Sequence, residues 1–245
     1  MGGAMLADLM VGIALGLMVV IVAIASLFAT LSAAAAARDA ADLQQRADTA
    51  LRLIGDEVRR AGSVRFSLPD APSQFSHVFQ GWNNTGLAVS GTEGGPGASD
   101  TLRLSYEPGT DDRDCLGYHP ADSNHVDSEF QIGIESINAG RPALYCKGSG
   151  GAKISWQALV SGVDDLQVLY AIADPDGKIA YVGADKIDTT SRVLAVSICL
   201  QLSSEGRRGA GSALGCDGKP IAAPALADRI VFVARGIFRV RNAEI

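Results

Sequence analysis

Between Leu9 and Ala37 no residue carries a charge, and the run LMVGIALGLMVVIVAIASLFATLSAAAAA is longer than the ~20 apolar residues that a helix needs to cross a bilayer core. It predicts a membrane-spanning helix. A cleaved secretory signal would begin with basic residues and have a shorter apolar core, whereas Met1 to Ala7 contains neither Lys nor Arg. A buried helix apolar on every side would need a much larger protein around it. Past Ala37 the pattern changes without a break: Leu43, Ala47, Ala50, Leu51, Ile54 and Val58 recur at three- and four-residue steps, with Asp, Gln and Arg between them. This spacing predicts that the helix continues out of the bilayer as an amphipathic one. Gly62 behind Arg59-Arg60 marks its stop, because glycine takes the left-handed cap and basic residues suit the negative end of the helix.

From Ser63 the helical period gives way to alternation. Thr101 to Tyr106 alternates; Leu166, Val168, Tyr170 and Ile172 would share one face, as would Leu194, Val196, Ile198, Leu200 and Leu202; Arg229 to Val240 reads as one or two last strands. These are half-buried strands of a mainly antiparallel sheet. Gly91 to Ser99, Lys147 to Lys153 and Ser203 to Pro220 read as loops by their Gly, Ser and Pro content. The expected fold class is therefore α+β: a long N-terminal helix, membrane-spanning in its first half, packed on a mainly antiparallel β-sheet domain.

The chain has 245 residues, 47% of them hydrophobic, and a formal charge of −6, which excludes a disordered polyelectrolyte. A basic nucleic-acid reader is excluded as well, since the only adjacent basic pairs are Arg59-Arg60 and Arg207-Arg208. Cys115, Cys146, Cys199 and Cys216 show no CxxC spacing, which argues against a zinc ribbon or a thioredoxin-like site and for disulfides. Three connectivities are open; Cys115–Cys146 with Cys199–Cys216 is favoured because each bond closes one local loop. Such bonds suit an oxidising compartment.

Other candidate chemistry is sparse. The segment Asp111-Asp112-Arg113-Asp114 through His119, Asp122, His125 and Asp127 has no spacing of a known metal site, and His77 stands apart, so no metal is expected. Asp174-Pro-Asp-Gly-Lys opens like a calcium loop but has Gly183 where the closing acid belongs, and reads as a turn between strands. Asn83-Asn84-Thr85 fits a glycosylation triplet, which is common by chance. There is no GxSxG, P-loop, HExxH or GxGxxG, and no catalytic residue or cofactor is assigned.

The letters around the start of the apolar run carry a resemblance. Gly3-Ala4-Met5-Leu6-Ala7-Asp8-Leu9-Met10-Val11 resembles the N-terminus of type IV prepilins, where a short leader ends in Gly, an acidic residue stands fifth after the cut and an apolar helix follows. The resemblance implies cleavage between Gly3 and Ala4, methylation of the new amine, and a role for Asp8 in registering subunits in the membrane. This chain departs from the pattern in having Asp for the usual Glu, Ala4 for the usual Phe, and a leader without basic residues. Asp56-Glu57-Val58-Arg59-Arg60-Ala61-Gly62, Asp100 to Tyr106, Cys115-Leu-Gly, Leu144-Tyr-Cys146, Leu159 to Tyr170 and Arg235 to Asn242 are similar to PilW-type minor pilins. Leu159 to Tyr170 is the most specific of these. The chain then divides into a leader (1–3), a transmembrane or filament-core helix half (4–37), an amphipathic helix half (38–62) and a disulfide-bonded periplasmic β-domain (63–245).

The resemblance implies a subunit present in few copies that helps to start or stabilise pilus growth in a priming or tip complex. Its expected partners are other minor and major pilins, the prepilin peptidase and the bacterial inner membrane, with incorporation into the pilus at the cell surface. Nucleic acid is not expected as a direct ligand. Gly12 and Gly16 form a GxxxG that would let helices approach closely, although such spacing also arises by chance in a Gly- and Ala-rich span. Residues 38–60 hold five Arg and five acids, a bias that by itself puts Arg38 on the cytoplasmic side. The resemblance implies the opposite orientation, with which the cysteines and the long downstream domain agree. A minor pseudopilin J of type II secretion shares the same plan, and a membrane-anchored tip adhesin or ligand-binding module is the alternative from another class.

Overall fold

The computed structural model describes residues 3–64, 79, 81, 85–95, 97–120, 125–136, 140–151, 155–173, 176–205, 214–221 and 229–241, with side chains from Leu9 onward. His77, Asn83, Asn84, Asp122, Arg207 and Arg208 lie outside these residues. Among the described residues one α-helix, α1 (Gly3–Arg60), precedes nine strands, with a 3-10 turn at Ala184–Lys186. The chain separates into two compact units, Met1–Asp42 and Leu43–Ile245.

The first unit is helix. Its large side chains from Leu9 to Leu31 are exposed, between 48% for Ile24 and 69% for Val19. The few hydroxyls here do not need water. Ser26 donates to the carbonyl of Ala23, Thr30 to those of Ser26 and Leu27, and Ser32 to that of Ala29. Each hydroxyl is thereby satisfied within its own helix, the condition under which polar side chains tolerate hydrocarbon.

The second unit holds the end of α1 and two antiparallel sheets. The first sheet is a five-stranded meander of β1 (Val89–Thr92), β2 (Thr101–Tyr106), β3 (Val126–Ile134), β4 (Pro142–Gly148) and β5 (Gln157–Ser161) in that order. The second has the order β7-β6-β8-β9, from β6 (Val163–Ala173), β7 (Ile179–Val182), β8 (Val193–Ser203) and β9 (Val231–Arg239). The one sheet expected from alternation is thus two. The chain changes sheets at Gly162, the single residue between β5 and β6. Its φ of 76° lies in the left-handed region, where only glycine is free of a Cβ penalty. Its N–H donates to Pro142 O (2.8 Å) and its carbonyl accepts from Ser203 N–H (3.1 Å), so one residue bonds to both sheets.

Leu43, Ala47, Ala50, Ile54 and Val58 from α1, with Ala61 just after it, join the inner residues of both sheets in one core that includes Leu102, Phe130, Leu144, Leu166, Tyr170, Ile198 and Leu200. The small residues on this face bring α1 close to β9: a Cβ on Gly55 would stand 2.3 Å from the Phe238 ring. Gly62, at φ 74°, ends the helix, and its N–H donates to Ser105 O at 3.0 Å.

Among the described residues the pairing register slips at Leu144/Tyr145 between β4 and β5 and at Val163/Asp165 and Ala171/Ile172 between β6 and β8, and the last of these changes which side chains are buried. Ala171 pairs with Ala195 but Ile172 pairs with Val193, so the register slips there. Val193 turns inward at 8% exposure while Leu194 and Ile172 become only partly buried, because an extra residue in a strand inverts the alternation beyond it. The three expected loops also give residues to strands, Gly91-Thr92 to β1, Lys147-Gly148 to β4 and Ser203 to β8. Asp176 and Gly177 lie in the connection of the β6–β7 hairpin, as the turn reading requires, with Asp174 outside the described residues.

Asp100, 3% exposed, ties the sheets together. Its carboxylate accepts from the N–H of Gly94 and, across the core, from the N–H of Val168, both at 2.8 Å, while its own N–H donates to Leu166 O. Asp100→Ala is expected to cost about 3 kcal/mol, because a buried N–H on β6 loses its acceptor. Urea denaturation of the two proteins measures it; a loss below about 0.5 kcal/mol would show that water replaces the carboxylate at no cost.

Candidate functional site

Two regions carry the expected functional residues. The first is the uncovered apolar part of α1. Gly3 and Ala4 begin the helix, and Asp8 lies on its second turn, with side chains outside the described residues. Gly12 and Gly16 are exposed, with no atom within 4 Å of where a Cβ would stand. Their open side leaves room for a second helix to approach to backbone distance. This helix is long and apolar enough to cross a membrane, its most apolar window having a mean hydropathy of 2.8 with none of it buried.

The second region surrounds the helix end. Cys115 is bonded to Cys146 and Cys199 to Cys216, across Cα separations of 6.4 and 5.7 Å. Cys146 is a fully buried residue of β4, so the first bond pins the loop after β2 to the sheet that holds α1. The same loop is shaped by Asp114, whose carboxylate accepts from the N–H groups of Leu116, Tyr118 and Gly150 at 2.9 to 3.0 Å. Asp112 accepts from Gly109 N–H, and His119 bonds the carbonyl of Thr110. His125 lies 3.2 Å from Asp127. These acids and histidines are therefore occupied in loop structure, and among the described residues no three His, Cys, Asp or Glu form a group that could hold a metal.

Glu57 is not among the candidates that the sequence motifs offer, yet it is the most perturbed carboxyl of this region. It is 4% exposed, accepts from the Ser128 hydroxyl at 2.7 Å, and lies 3.4 Å from the Arg60 guanidinium. Ser128 in turn accepts from the N–H of Cys115 (3.3 Å), linking carboxyl, sheet and disulfide loop. Burial pushes Glu57 up to about 7, opposed by the Ser128 hydrogen bond and Arg60 and reinforced by Asp114 and Asp112. Its spacing was the available signal: Glu57 stands three residues after Ile54 and four before Ala61, in phase with the buried stripe.

A further cluster gathers residues that are far apart in sequence. Arg59, Arg239 and Arg241 line an open cleft of about 480 Å³, and Asp56, Arg59, Arg60 and Arg241 line an adjoining one of about 420 Å³. Arg59 pairs with Asp56 and lies over the Phe238 ring, 5.4 Å from its centroid. The basic pair Arg59-Arg60, too small to count in sequence, is thus half of a four-arginine surface.

No curated protein matches the chain. Among solved structures it is similar to the type IV-like pilin TTHA1219 from Thermus thermophilus, at 12% identity and a TM-score of 0.40, over 64% of this chain and 84% of that one. Residues 131–222 match the family model PilW, described as type IV pilus-assembly protein W. That segment runs from within β3 through the sheet-switching Gly162 to just beyond the Cys199–Cys216 bond, and over it the chain is similar to the PilW family.

Proposed function

We propose that this chain is a minor pilin that primes or caps pilus assembly: its precursor is cut after Gly3, and its exposed helix packs among the helices of other pilins, with the β-domain on the periplasmic side. The observation that carries this reading is one continuous helix, Gly3–Arg60, that is apolar and uncovered from Leu9 to Leu31 and amphipathic from Leu43 onward. A helix of this kind is stable only in lipid or against other helices in its first half. The order of events follows from charge. Cutting after Gly3 frees an α-amino group about one helical turn from Asp8, and an ionised carboxylate at the edge of hydrocarbon is costly without a cation. An incoming subunit's amine meets that need, and the pair would fix its height against its neighbour. Methylation keeps the charge of the amine and so keeps the pair.

Intact mass and N-terminal sequencing of the protein from membranes of cells with a prepilin peptidase test the first step. The expected product lacks Met1-Gly2-Gly3 and carries a methyl group on Ala4; an unprocessed N-terminus overturns ordinary pilin maturation. Asp8→Ala is expected to leave cleavage intact and to lower piliation about tenfold or more, since the unpaired amine costs each docking event on the order of 2 kcal/mol. Wild-type pilus numbers in that variant would remove Asp8 from assembly. Loss of protein secretion with normal pili would assign the chain to a secretion pseudopilus.

A further inference from the structure

Among the described residues the two sheets have four edge strands, and β9 is the longest of them. β1 and β7 have four residues each, and β5 has five, with a register shift against β4 and its Ser161 carbonyl met by the Arg46 guanidinium. β9 instead pairs with β8 over all nine of its residues without a shift. The hydrogen bonds at its two ends fix which backbone groups are used: Val240 N–H donates to Leu194 O and Ser204 N–H donates to Ile230 O, both at 2.9 Å. Bonded and non-bonded pairs alternate along an antiparallel ladder, so Phe232, Ala234, Gly236 and Phe238 bond to β8, while the N–H and C=O groups of Val231, Val233, Arg235, Ile237 and Arg239 point away from it. Among the described residues these outward groups have no hydrogen-bond partner. The core is also unfinished along this edge. Val196 and Leu202 of β8 are fully buried, but Phe238 and Phe232, opposite them on β9, are only partly buried, as is Leu51 of α1 beside Gly236.

A long edge with neither proline nor bulge is a template for pairing with another chain. We infer that the open edge of β9 takes up an extended segment of a different protein subunit as a further strand of this sheet, with apolar residues at every second position. The chemistry of the occupant follows from the edge. Backbone donors and acceptors repeated at every second residue are matched by another extended backbone, and the half-covered Phe232, Phe238 and Leu51 are completed by apolar side chains on its inner side. A second copy pairing through its own β9 fits less well. Arg235 and Arg239 share the outer side of the strand with Ile237, and each antiparallel register that pairs two β9 strands over most of their length sets arginines of the two copies opposite or diagonal to one another, where like charges repel. The inference concerns the β-domain alone and holds whether or not the chain enters a pilus.

Fluorescence anisotropy on the full-length protein in a non-ionic detergent tests it. The probes are a labelled peptide alternating Val and Thr over nine positions and two analogues, one N-methylated at the Thr amides and one at the Val amides. An N-methyl group removes a donor from one edge of a strand and leaves the other edge intact. The expected result is binding of the parent peptide and of one analogue, with the other weakened about tenfold or more. Val233→Pro is expected to weaken the parent peptide to a similar degree, because it removes an outward N–H that the ladder to β8 does not use. Hydrogen exchange reads the same edge without any substitution: the amides of Val233, Arg235 and Ile237 exchange fast in the free protein and slow down when the peptide is bound. No binding of the parent peptide, equal effects of the two methylation patterns, or unchanged exchange at these amides overturns the inference. A dimer of the protein that Val233→Pro dissociates overturns it too, by assigning the edge to a second copy.

Discussion

Replacing Cys115 and Cys146 by serine is expected to destabilise the β-domain by about 4 kcal/mol, and replacing Cys199 and Cys216 by about 3 kcal/mol. The estimate follows from the loops that the bonds close, with sequence separations of 31 and 17, since a longer loop gives up more entropy in the unfolded chain. Each bond also holds a segment with little regular structure of its own. Cys115 anchors the loop that covers Glu57 and Ser128, and Cys216 anchors residues 214–221, where Leu214 bridges Pro220 and Gly215 O accepts from Arg235. Loss of both is comparable to the entire stability of an ordinary domain. Thermal unfolding with and without reductant, beside the two double-serine variants, is expected to show a Tm lowered by about 10 °C for each bond. A reduced protein that melts with the oxidised one would mean that these loops are held by their hydrogen bonds alone.

The second large effect is a loss of stability as pH rises from 4.5 to about 7. Glu57 is raised in the folded state from 4.5 to about 7, first by burial, and Asp112 and Asp114 add to the rise while Ser128 and Arg60 oppose it. Because the folded state holds this proton more tightly than the unfolded chain does, its contribution is fully present below pH 4.5 and is lost as pH climbs to about 7. The loss amounts to about 3 kcal/mol at ~1.4 kcal/mol for each pH decade between the two values. Burial also pushes up Asp127 and Asp164, which add in the same direction. Glu57→Gln keeps an acceptor for Ser128 and cannot ionise, so denaturant midpoints between pH 5 and 8 should be flatter for the variant, which becomes the more stable protein at pH 8. Parallel curves for the two proteins would show that Glu57 is ionised throughout, held by Arg60.

The physical origin of this cluster also explains which strands are legible in the amino-acid sequence and which are not. Strands β2, β6 and β8 are legible because their inner residues, such as Leu102 and Leu104 or Leu166 and Val168, are apolar at every second position. β3 hides its period. Ser128 and Glu129, both buried, interrupt the apolar alternation of Val126 and Phe130, and each is made tolerable by a distant partner: Glu57 for Ser128, Arg103 and Lys147 for Glu129. The slip near Ile172 was invisible for a related reason, since a bulge is a property of two paired strands rather than of one segment.

The sequence by itself determined the long helix, its change from apolar on all sides to amphipathic near Ala37, its stop at Gly62 and the presence of sheet beyond it. These are local matters, decided by periodicity, charge and glycine within a few residues. Only the tertiary structure decided that there are two sheets joined at Gly162, that Asp100 ties them together, and that Glu57 is buried against Ser128. It also gathered Arg59, Arg60, Arg239 and Arg241, nearly two hundred residues apart, on one surface. The reason is range: a hydrophobic period is written in neighbouring residues, whereas the partners of a buried polar group or a charged surface are set by which strands the fold brings side by side.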